Sequence, residues 1–371
     1  MQTVTFITGH YYPSKRRAGF HHLADATSSL GYRVNFVTVG LSLLSYLRRD
    51  YRTRIPGISR VFNRIIRQRD NFYSYVYFTL WHPMTLLFPW LNRLSMHWMD
   101  TYGQGNLKDL LSIIKETDIF IFENGPGLFL FDRIKRENPQ AHMIYRVSDD
   151  LRFLGSTHPR LLEVEQRIAP QFDRISVPSY TMLHKFPGIP MQLDRHGLNV
   201  RDFDACTRSP YNEGTSNAIF VGTGRMDYAF LRDAAWGNTN CNITVIGPFK
   251  DTLHQANVFF LGEMPFAETI PYIKYANVGL LNRTYHKGYA TTMTDSLKII
   301  QYRYCGLPIV SPDYIDLRRD GVFYYKAGDP LSCGNALRSA LQNGRNPEYA
   351  QEVHTWQDVV QNILAPLQSD V

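Results

Sequence analysis

The chain has 371 residues, 44% of them hydrophobic and 20% charged, which excludes a disordered protein and leaves room for two domains. Its formal charge of +7 at pH 7 is concentrated, because eight arginines and a single acid lie between residues 48 and 69. The four cysteines are scattered and form no CxxC pair, which disfavours a zinc site or a disulfide framework and favours a reducing compartment.

The first part of the chain predicts strands that alternate with helices. The run "TVTFITG" predicts a strand, "HHLADATSSLG" a helix and "RVNFVTV" a second strand. Further strands are predicted at "DIFIFENG", "HMIYRVS" and "RISVPS", with helical stretches between them. Short apolar strands separated by helices predict parallel βαβ units.

The arginine-rich segment predicts contact with a membrane surface. Its run "ISRVFNRIIRQRD" predicts an amphipathic helix with apolar residues on one face and Arg60, Arg64 and Arg67 on the other. Together with the tryptophan-containing segment that follows, such a helix fits an anionic bilayer surface. The longest apolar stretch, residues 78–91, falls short of the roughly 20 residues that span a bilayer. Packing on a core and nucleic-acid binding are the alternatives, and no nucleic-acid motif is present.

A second series of strands, beginning at "NAIFVGTG", follows a polar linker near residues 198–216. We therefore predict an N-terminal α/β domain over 1–205, which contacts the membrane, and a C-terminal α/β domain over 206–346. For residues 347–371 we predict a terminal helix that could cross back to the first domain. A ligand is expected in the cleft between the domains, at the carboxyl ends of the strands.

Adjacent carboxylates end one strand of the first domain. In "IYRVSDDL", Asp149 and Asp150 occupy a strand-to-helix loop, where a carboxylate can act as a general base. Acidic residues in such loops are also common helix caps, and the residues alone favour the cap.

A second candidate site lies in the turn "GEMP" of the second domain. Glu263 and Met264 follow a strand, and Pro265 begins the next helix. The carboxylate could accept hydrogen bonds from ribose hydroxyls while exposed main chain reads a base edge; Glu263 could equally be a helix-start acid. No GxGxxG fingerprint for a dinucleotide is present.

The third candidate is the run "DSLKIIQYRYCGLPIVSP". It predicts a helix that is capped by Asp295 or Ser296 and ends at Gly306. Lys298 and Gln301 share one face of its first turns, and a lysine beside free helical N–H groups predicts phosphate binding. The alternative is a surface lysine on an ordinary helix.

These blocks, in this order, resemble a GT-B glycosyltransferase. Within that class they resemble glycosyltransferase family 70, whose founding member is the membrane-associated glucuronosyltransferase of xanthan biosynthesis. The matching runs are "YRVSDDL", "RHGLNV", "LGEMPFAETIPYIKYANVGLL", "DSLKIIQYRYCGLPIVSP" and, more weakly, "TWQDVVQNIL". The resemblance covers most of the chain but little of residues 40–100. It implies a GT-B fold of two Rossmann-like domains with the active site in the cleft between them.

The resemblance also implies a reaction, namely inverting, metal-independent transfer of glucuronate from UDP-glucuronate to a lipid-diphosphate-linked oligosaccharide in bacterial exopolysaccharide synthesis. The protein would act as a peripheral protein on the cytoplasmic face of the inner membrane. Asp149 matches the catalytic base of the family. The implied UDP-sugar contacts are Glu263, Met264, Arg283, Ser296, Leu297, Lys298 and Gln301.

The sequence departs from the family at Arg283, which stands where the family has a tyrosine. No Asp-x-Asp metal site is visible, and no cofactor is expected. Two other functions stay open: a UDP-sugar epimerase on the same scaffold, and a non-catalytic membrane-bound protein that binds a sugar nucleotide.

Overall fold

The computed structural model describes residues 1–14, 17–86, 89–105, 107–154, 157–286, 288 and 294–365. It divides into two compact units. Unit 1 comprises Met1–Arg195 together with the chain from Trp356 onward, and unit 2 comprises His196–Thr355. The boundary that we placed after residue 205 therefore falls inside unit 2, and the segment 347–371 is shared between the units.

Unit 1 is built on an eight-stranded sheet in the order β3-β4-β2-β1-β5-β6-β7-β8. Its strands are β1 (Thr3–Thr8), β2 (Arg33–Ser42), β3 (Ile65–Arg69), β4 (Phe72–Thr79), β5 (Ile119–Glu123), β6 (His142–Arg146), β7 (Arg174–Val177) and β8 (Gln192–Leu193). Its helices are α1 (Gly19–Ser29), α2 (Leu43–Leu47), α3 (Pro89–Leu94), α4 (Met96–Met99), α5 (Lys108–Lys115), α6 (Phe131–Glu137) and α7 (Pro159–Ile168).

Unit 2 is built on a six-stranded parallel sheet in the order β11-β10-β9-β12-β13-β14. Its strands are β9 (Ser216–Val221), β10 (Cys241–Ile246), β11 (Val258–Gly262), β12 (Val278–Leu280), β13 (Ile309–Pro312) and β14 (Val322–Tyr325). Its helices are α8 (Val200–Asp204), α9 (Tyr228–Gly237), α10 (Phe266–Tyr275), α11 (Leu297–Tyr304) and α12 (Pro330–Asn343).

The central strands of both sheets are buried, as near-continuous apolar runs predict for parallel strands that are covered on both faces. All six residues of β1 are buried, and β12 is buried throughout. The predicted α/β class with two parallel sheets is thus confirmed. The order of the parallel strands reverses between β1 and β5 in unit 1 and between β9 and β12 in unit 2.

The prediction of an arginine-rich amphipathic helix is wrong. Ile58–Val61 forms a single 3-10 turn, and the chain then enters strand β3, which pairs antiparallel with β4. Asp70 and Asn71 turn the chain between the two strands, with Asn71 at φ +57°. Pairing with β4 supplies β3 with backbone hydrogen bonds that a short isolated helix could not match, so the hairpin overrides the helical spacing of the apolar residues.

The chain returns to unit 1 through its last described helix, α13 (Trp356–Leu364). The helix packs against α1, and the Trp356 ring stacks on His22 with centroids 5.3 Å apart and an interplanar angle of 11°. All four cysteines lie in the described part of the chain, and none is bonded to another. No helix among the described residues is long and apolar enough to cross a membrane.

Candidate functional site

Lys298 places an ammonium group in the interior of unit 2, in the first turn of α11. The residue is 9% exposed, and its Nζ makes no hydrogen bond within the described part of the chain. The ring centroid of Phe220 lies 4.1 Å from Nζ. Ser296 precedes the helix and its carbonyl accepts from the Ile299 N–H at 2.9 Å, whereas the N–H groups of Leu297 and Lys298 have no carbonyl partner within the helix. A buried cation without a partner is costly, so this arrangement indicates a place for an anion.

Arg283 brings a second positive charge to Lys298. It follows strand β12 as part of an antiparallel bridge with Met226, and its main-chain carbonyl accepts a hydrogen bond from Tyr314. Burial, and to a smaller degree the charge of Arg283, lower the pKa of Lys298 well below its ordinary value. Two neighbouring cations that repel each other would both be stabilised by a bound diphosphate.

Two glycines after β9 leave the space in which these cations sit. A side chain at Gly222 would place Cβ 2.9 Å from Lys298 Nζ and 3.6 Å from Arg283 Nη2. A side chain at Gly224 would overlap the Arg283 guanidinium. The signal for a ligand role was the close spacing of two glycines at the end of one strand.

The cations lie at the carboxyl ends of β9 and β12, where the strand order of the sheet reverses. Open α/β sheets bind ligands at such a reversal. Backbone hydrogen bonds join the carboxyl ends of β9, β10 and β11. Gly222 N–H donates to Ile246 O at 3.0 Å, and Gly247 N–H donates to Gly262 O at 2.9 Å. The predicted phosphate residues therefore occupy the position at which this fold binds ligands.

The other residues that we predict to contact the UDP-sugar lie in two places. Glu263 is exposed and Met264 half-buried, and both follow β11 at the same edge of the sheet, two strands away from β9. Leu297 and Gln301 are half-buried on α11, before and after Lys298. The structure thus brings Arg283 and Lys298 together and leaves Glu263 and Met264 on the far side of β10.

Asp295 does not cap α11, although we had proposed it as one of two possible caps. It forms an ion pair with Arg319, and both side chains are at most 5% exposed. Arg319 Nη1 also donates to Thr294 O at 2.5 Å, and its Nε lies 3.2 Å from Glu352 Oε2. This cluster fixes the chain just before the helix. The sequence analysis missed it because the two partners lie far apart in the chain and share no pattern.

In unit 1, Asp149 lies in the loop after β6 and is half-buried. Asn124, directly after β5, accepts hydrogen bonds through Oδ1 from the N–H groups of Ser148 at 2.8 Å and Asp149 at 3.0 Å. Burial, followed by the charge of Glu123, raises the pKa of Asp149 above its ordinary value. A carboxylate with increased proton affinity is suited to general-base chemistry.

Asp150 acts as a cap, which is the alternative that the sequence analysis gives for the adjacent carboxylates Asp149 and Asp150. Its side chain accepts a hydrogen bond from Arg152 N–H at 3.0 Å and caps the 3-10 turn Leu151–Phe153. It also pairs with Lys185, whose Nζ lies 3.2 Å from Asp150 Oδ1 and 2.8 Å from Glu165 Oε1. Asp150 is therefore occupied by structural contacts, whereas Asp149 is not the cap.

A histidine–carboxylate pair beside Asp149 was missed by the sequence analysis. His10 Nε2 lies 3.4 Å from Glu123 Oε1, and these residues follow β1 and end β5, respectively. The signal that could have found the pair is their position at the carboxyl ends of two strands that become neighbours in the sheet. Separately, no cluster of three or more His, Cys, Asp or Glu side chains suited to a metal ion occurs among the described residues.

Known proteins resemble this chain in sequence over most of its length. The family model for the N-terminal domain of the glucuronosyltransferase GumK matches residues 6–178. The UDP-glucuronate:glycolipid 2-beta-glucuronosyltransferase of Xanthomonas campestris pv. campestris is 27% identical over 372 residues, covering 97% of this chain and 88% of that protein.

Solved structures resemble the chain in fold. A trehalose-6-phosphate structure from E. coli, bound with UDP-2-fluoro glucose, has a TM-score of 0.60 at 10% identity and covers 100% of this chain and 98% of its own. The Arabidopsis thaliana UGT89C1 complexed with quercetin has a TM-score of 0.53 at 10% identity, with coverages of 98% and 99%. At such low identity these similarities show the fold alone, and that fold is GT-B.

Proposed function

Since the chain is a glycosyltransferase of the GT-B fold that resembles the Xanthomonas glucuronosyltransferase, we propose that it transfers glucuronate from UDP-glucuronate to a lipid-diphosphate-linked oligosaccharide. The transfer inverts the anomeric centre, needs no metal ion and serves exopolysaccharide synthesis on the cytoplasmic face of the inner membrane. The observation that carries the proposal is the buried Lys298 ammonium, without a hydrogen-bond partner in the described chain and adjacent to Arg283.

The diphosphate of UDP accounts for the charges around Lys298. As the glycosidic bond breaks, negative charge grows on the departing UDP. Lys298, Arg283 and the N–H groups after Ser296 neutralise that charge in a site with little water. A divalent ion supplies the same neutralisation in other phosphate sites. Here two fixed cations and a helix start take that role.

The nucleoside is assigned to the end of β11, two strands away from β9. Glu263 accepts hydrogen bonds from the ribose hydroxyls, and the exposed main chain at Met264 reads the uracil edge. Gln301, one turn beyond Lys298 on α11, supplies a further nucleotide contact. The order of these groups along the sheet edge matches the order of uridine and diphosphate in UDP.

Asp149 is the proposed base. Inversion requires the acceptor oxygen to attack the anomeric carbon from the face opposite UDP while its hydroxyl proton is removed. Asp149 has the increased proton affinity that this step uses, and Asp150 is already committed to a cap and an ion pair.

The donor is tested with radiolabelled UDP-sugars and a bacterial lipid extract. Purified protein is expected to move label from UDP-glucuronate into the lipid phase, with little transfer from UDP-glucose, UDP-galactose or UDP-N-acetylglucosamine. Transfer from another sugar alone would correct the donor. A new UDP-sugar formed without lipid would identify an epimerase, and UDP binding without any product would identify a non-catalytic binding protein.

Membrane binding is proposed through exposed apolar side chains of unit 1. Residues 46–48 and residues 78–85 are neighbours in this unit. Arg48 donates a hydrogen bond to Thr85 O at 2.6 Å, and the Tyr46 ring centroid lies 6.3 Å from that of Phe78. Six large apolar residues on α2, directly after β4 and on α3 and α4 are more than half exposed. They are Leu43, Leu47, Leu80, Trp90, Leu94 and Trp98, here called the apolar set.

Replacing Leu47 and Leu94 with serine is expected to release the protein from phospholipid vesicles, since burying each leucine in lipid is worth about 1.5–3 kcal/mol. Cosedimentation with vesicles measures the loss. The matched control is Leu331→Ser in unit 2, because Leu331 and Leu47 are each 79% exposed. Equal sedimentation of all three proteins would refute the assignment.

The exposed arginines should act differently from the apolar set. Arg60, Arg64 and Arg67 are exposed on the 3-10 turn and hairpin rather than on one helix face. Replacing all three with glutamine is expected to abolish the preference for anionic over neutral vesicles, because each arginine contributes about 1 kcal/mol near an anionic surface. Added salt should reduce the same preference in the unmodified protein.

A further inference from the structure

The pair formed by His10 and Glu123 lies at the point where the sheet of unit 1 reverses its strand order. His10 follows β1, Glu123 ends β5, and these two strands are paired in parallel. This position in unit 1 corresponds to that of the Lys298 site in unit 2. Ligands of open α/β sheets bind at such reversals, so the pair lies where a substrate of unit 1 is expected.

Several contacts hold the Glu123 carboxylate in its ionised form. The Thr8 hydroxyl donates a hydrogen bond to Glu123 Oε2, and the Gly9 N–H donates another to the carboxylate. His10 Nε2 lies 3.4 Å from Glu123 Oε1. Burial by itself raises the pKa of Glu123, but His10 and these hydrogen bonds outweigh it and hold the pKa below its ordinary value. The side chain is only 12% exposed, so its charge is poorly screened by solvent.

The carboxyl end of β5 is joined to the Asp149 loop by hydrogen bonds. Asn124, the residue after Glu123, accepts hydrogen bonds from the N–H groups of Ser148 and Asp149. Glu123 is itself in register with Arg146, the last residue of β6 and three positions before Asp149. Glu123 and Asp149 are therefore held at the carboxyl ends of adjacent strands, where the charge of Glu123 acts on Asp149.

Charged side chains on neighbouring parts of unit 1 influence the proton affinity of Asp149. Glu123 and the neighbouring Asp150 raise its pKa, and His10 and Lys185 lower it. Asp150 and Lys185 neutralise each other through their own ion pair at 3.2 Å. Glu123 is the larger of the two acidic influences, so it is the neighbour whose removal should be most visible.

The pKa of His10 depends on burial and on nearby charged side chains. Burial lowers the pKa of His10, and Glu123 outweighs that effect and raises it overall. Arg52 opposes the raised pKa, whereas Asp149 adds to it. The His21 ring, 5.4 Å away between centroids, has its own pKa lowered to about 4 mainly by burial and is neutral at pH 7.

We propose that Glu123, held in place by His10, is a positioning residue for the transfer reaction that makes Asp149 a stronger proton acceptor. This inference rests on the proposed function. In the reaction, the acceptor oxygen forms a bond to the anomeric carbon while the bond from that carbon to UDP breaks, and UDP leaves with the bonding electrons. The hydroxyl proton of the acceptor passes to Asp149. Glu123 exchanges no proton and acts through its charge.

The test is the pH profile of kcat/KM for Glu123→Gln. The acidic limb of the profile reports the protonation of Asp149 in the free enzyme. Removing the nearby negative charge lowers the pKa of Asp149, and the weaker positive charge that His10 then carries offsets part of this change, so the limb is expected to move to lower pH by a fraction of a unit. The control Glu163→Gln removes a carboxylate that is 53% exposed and should leave the limb in place. A limb that stays in place while the rate falls at every pH would overturn the proposal.

A second measurement does not need activity. If the charges are coupled, Asp149→Asn must lower the pKa of His10, because Asp149 raises it. The titration of the His10 ring by NMR reads this shift directly, with His142→Gln used to assign another histidine signal. An unchanged His10 titration in Asp149→Asn would overturn the inference even where Glu123→Gln does not fold. Absence of transfer from every UDP-sugar, with the His10 shift present, would refute the proposed function alone.

Discussion

Replacing Asp149 with asparagine is expected to lower the rate of sugar transfer by about 10²–10⁴-fold, the usual cost of removing a general base. UDP affinity should not change, because the residues assigned to UDP belong to unit 2. The fold should also be retained. Burial and Glu123 disfavour the ionised form of Asp149, so its negative charge is a cost to the folded state at neutral pH, and a neutral asparagine removes that cost.

The neighbouring Asp150→Asn variant is the matched control for Asp149. It removes one charge from a cap and from the ion pair with Lys185, so it should lower the melting temperature and retain much more transfer activity. The two variants therefore separate catalysis from structure. An Asp149→Asn protein that turns over normally but melts several degrees lower would show that Asp149 is structural.

Replacing Lys298 with methionine is expected to weaken UDP binding by roughly 10- to 150-fold, since a hydrogen bond to a charged group is worth about 1.5–3 kcal/mol. The unliganded protein should become more stable at the same time, because the substitution removes a buried charge that has no hydrogen-bond partner among the described residues. Calorimetric titration with UDP and thermal melting of the unliganded protein measure the two effects. Lys326→Met, at an exposed lysine of unit 2, should change neither quantity.

The pH dependence gives Lys298 a second signature. Its pKa is lowered in the folded protein, so between that value and the ordinary value of about 10.4 the unfolded chain binds more protons than the folded one. Stability of the unliganded protein should therefore fall as pH falls through this range, and the Lys298→Met protein should lack that component. Unchanged UDP affinity and an unchanged pH dependence in the variant would together exclude Lys298 from the donor site.

Sequence patterns predicted the central strands of both sheets because these strands are buried on both faces. Strands such as β1 and β5 are short apolar runs, and their period is set by burial, which a single sequence records directly. The helix that carries Lys298 could also be predicted, because a helix start, a lysine in the first turn and a glycine stop all lie within one short run.

What the sequence analysis missed depends on pairing between distant residues. Strand β3 has exposed and half-buried residues in alternation and owes its structure to β4, so its own apolar spacing was misleading. The turn at Asp70 and Asn71 was the local signal of that hairpin. The His10–Glu123 pair depends on which strands become neighbours, and no local pattern records that.

The route of the chain between the units has a consequence for synthesis on the ribosome. Unit 2 begins and ends side by side, because Leu198 and Thr355 form a parallel bridge and Leu198 N–H donates to His354 O at 2.9 Å. Unit 2 is in effect an insertion, and all of it leaves the ribosome before α13 does. The surface of α1 that receives Trp356 therefore stays uncovered in the nascent chain until α13 has been synthesised. Folding of unit 1 can be completed only after unit 2 has been made, although most of unit 1 is made first.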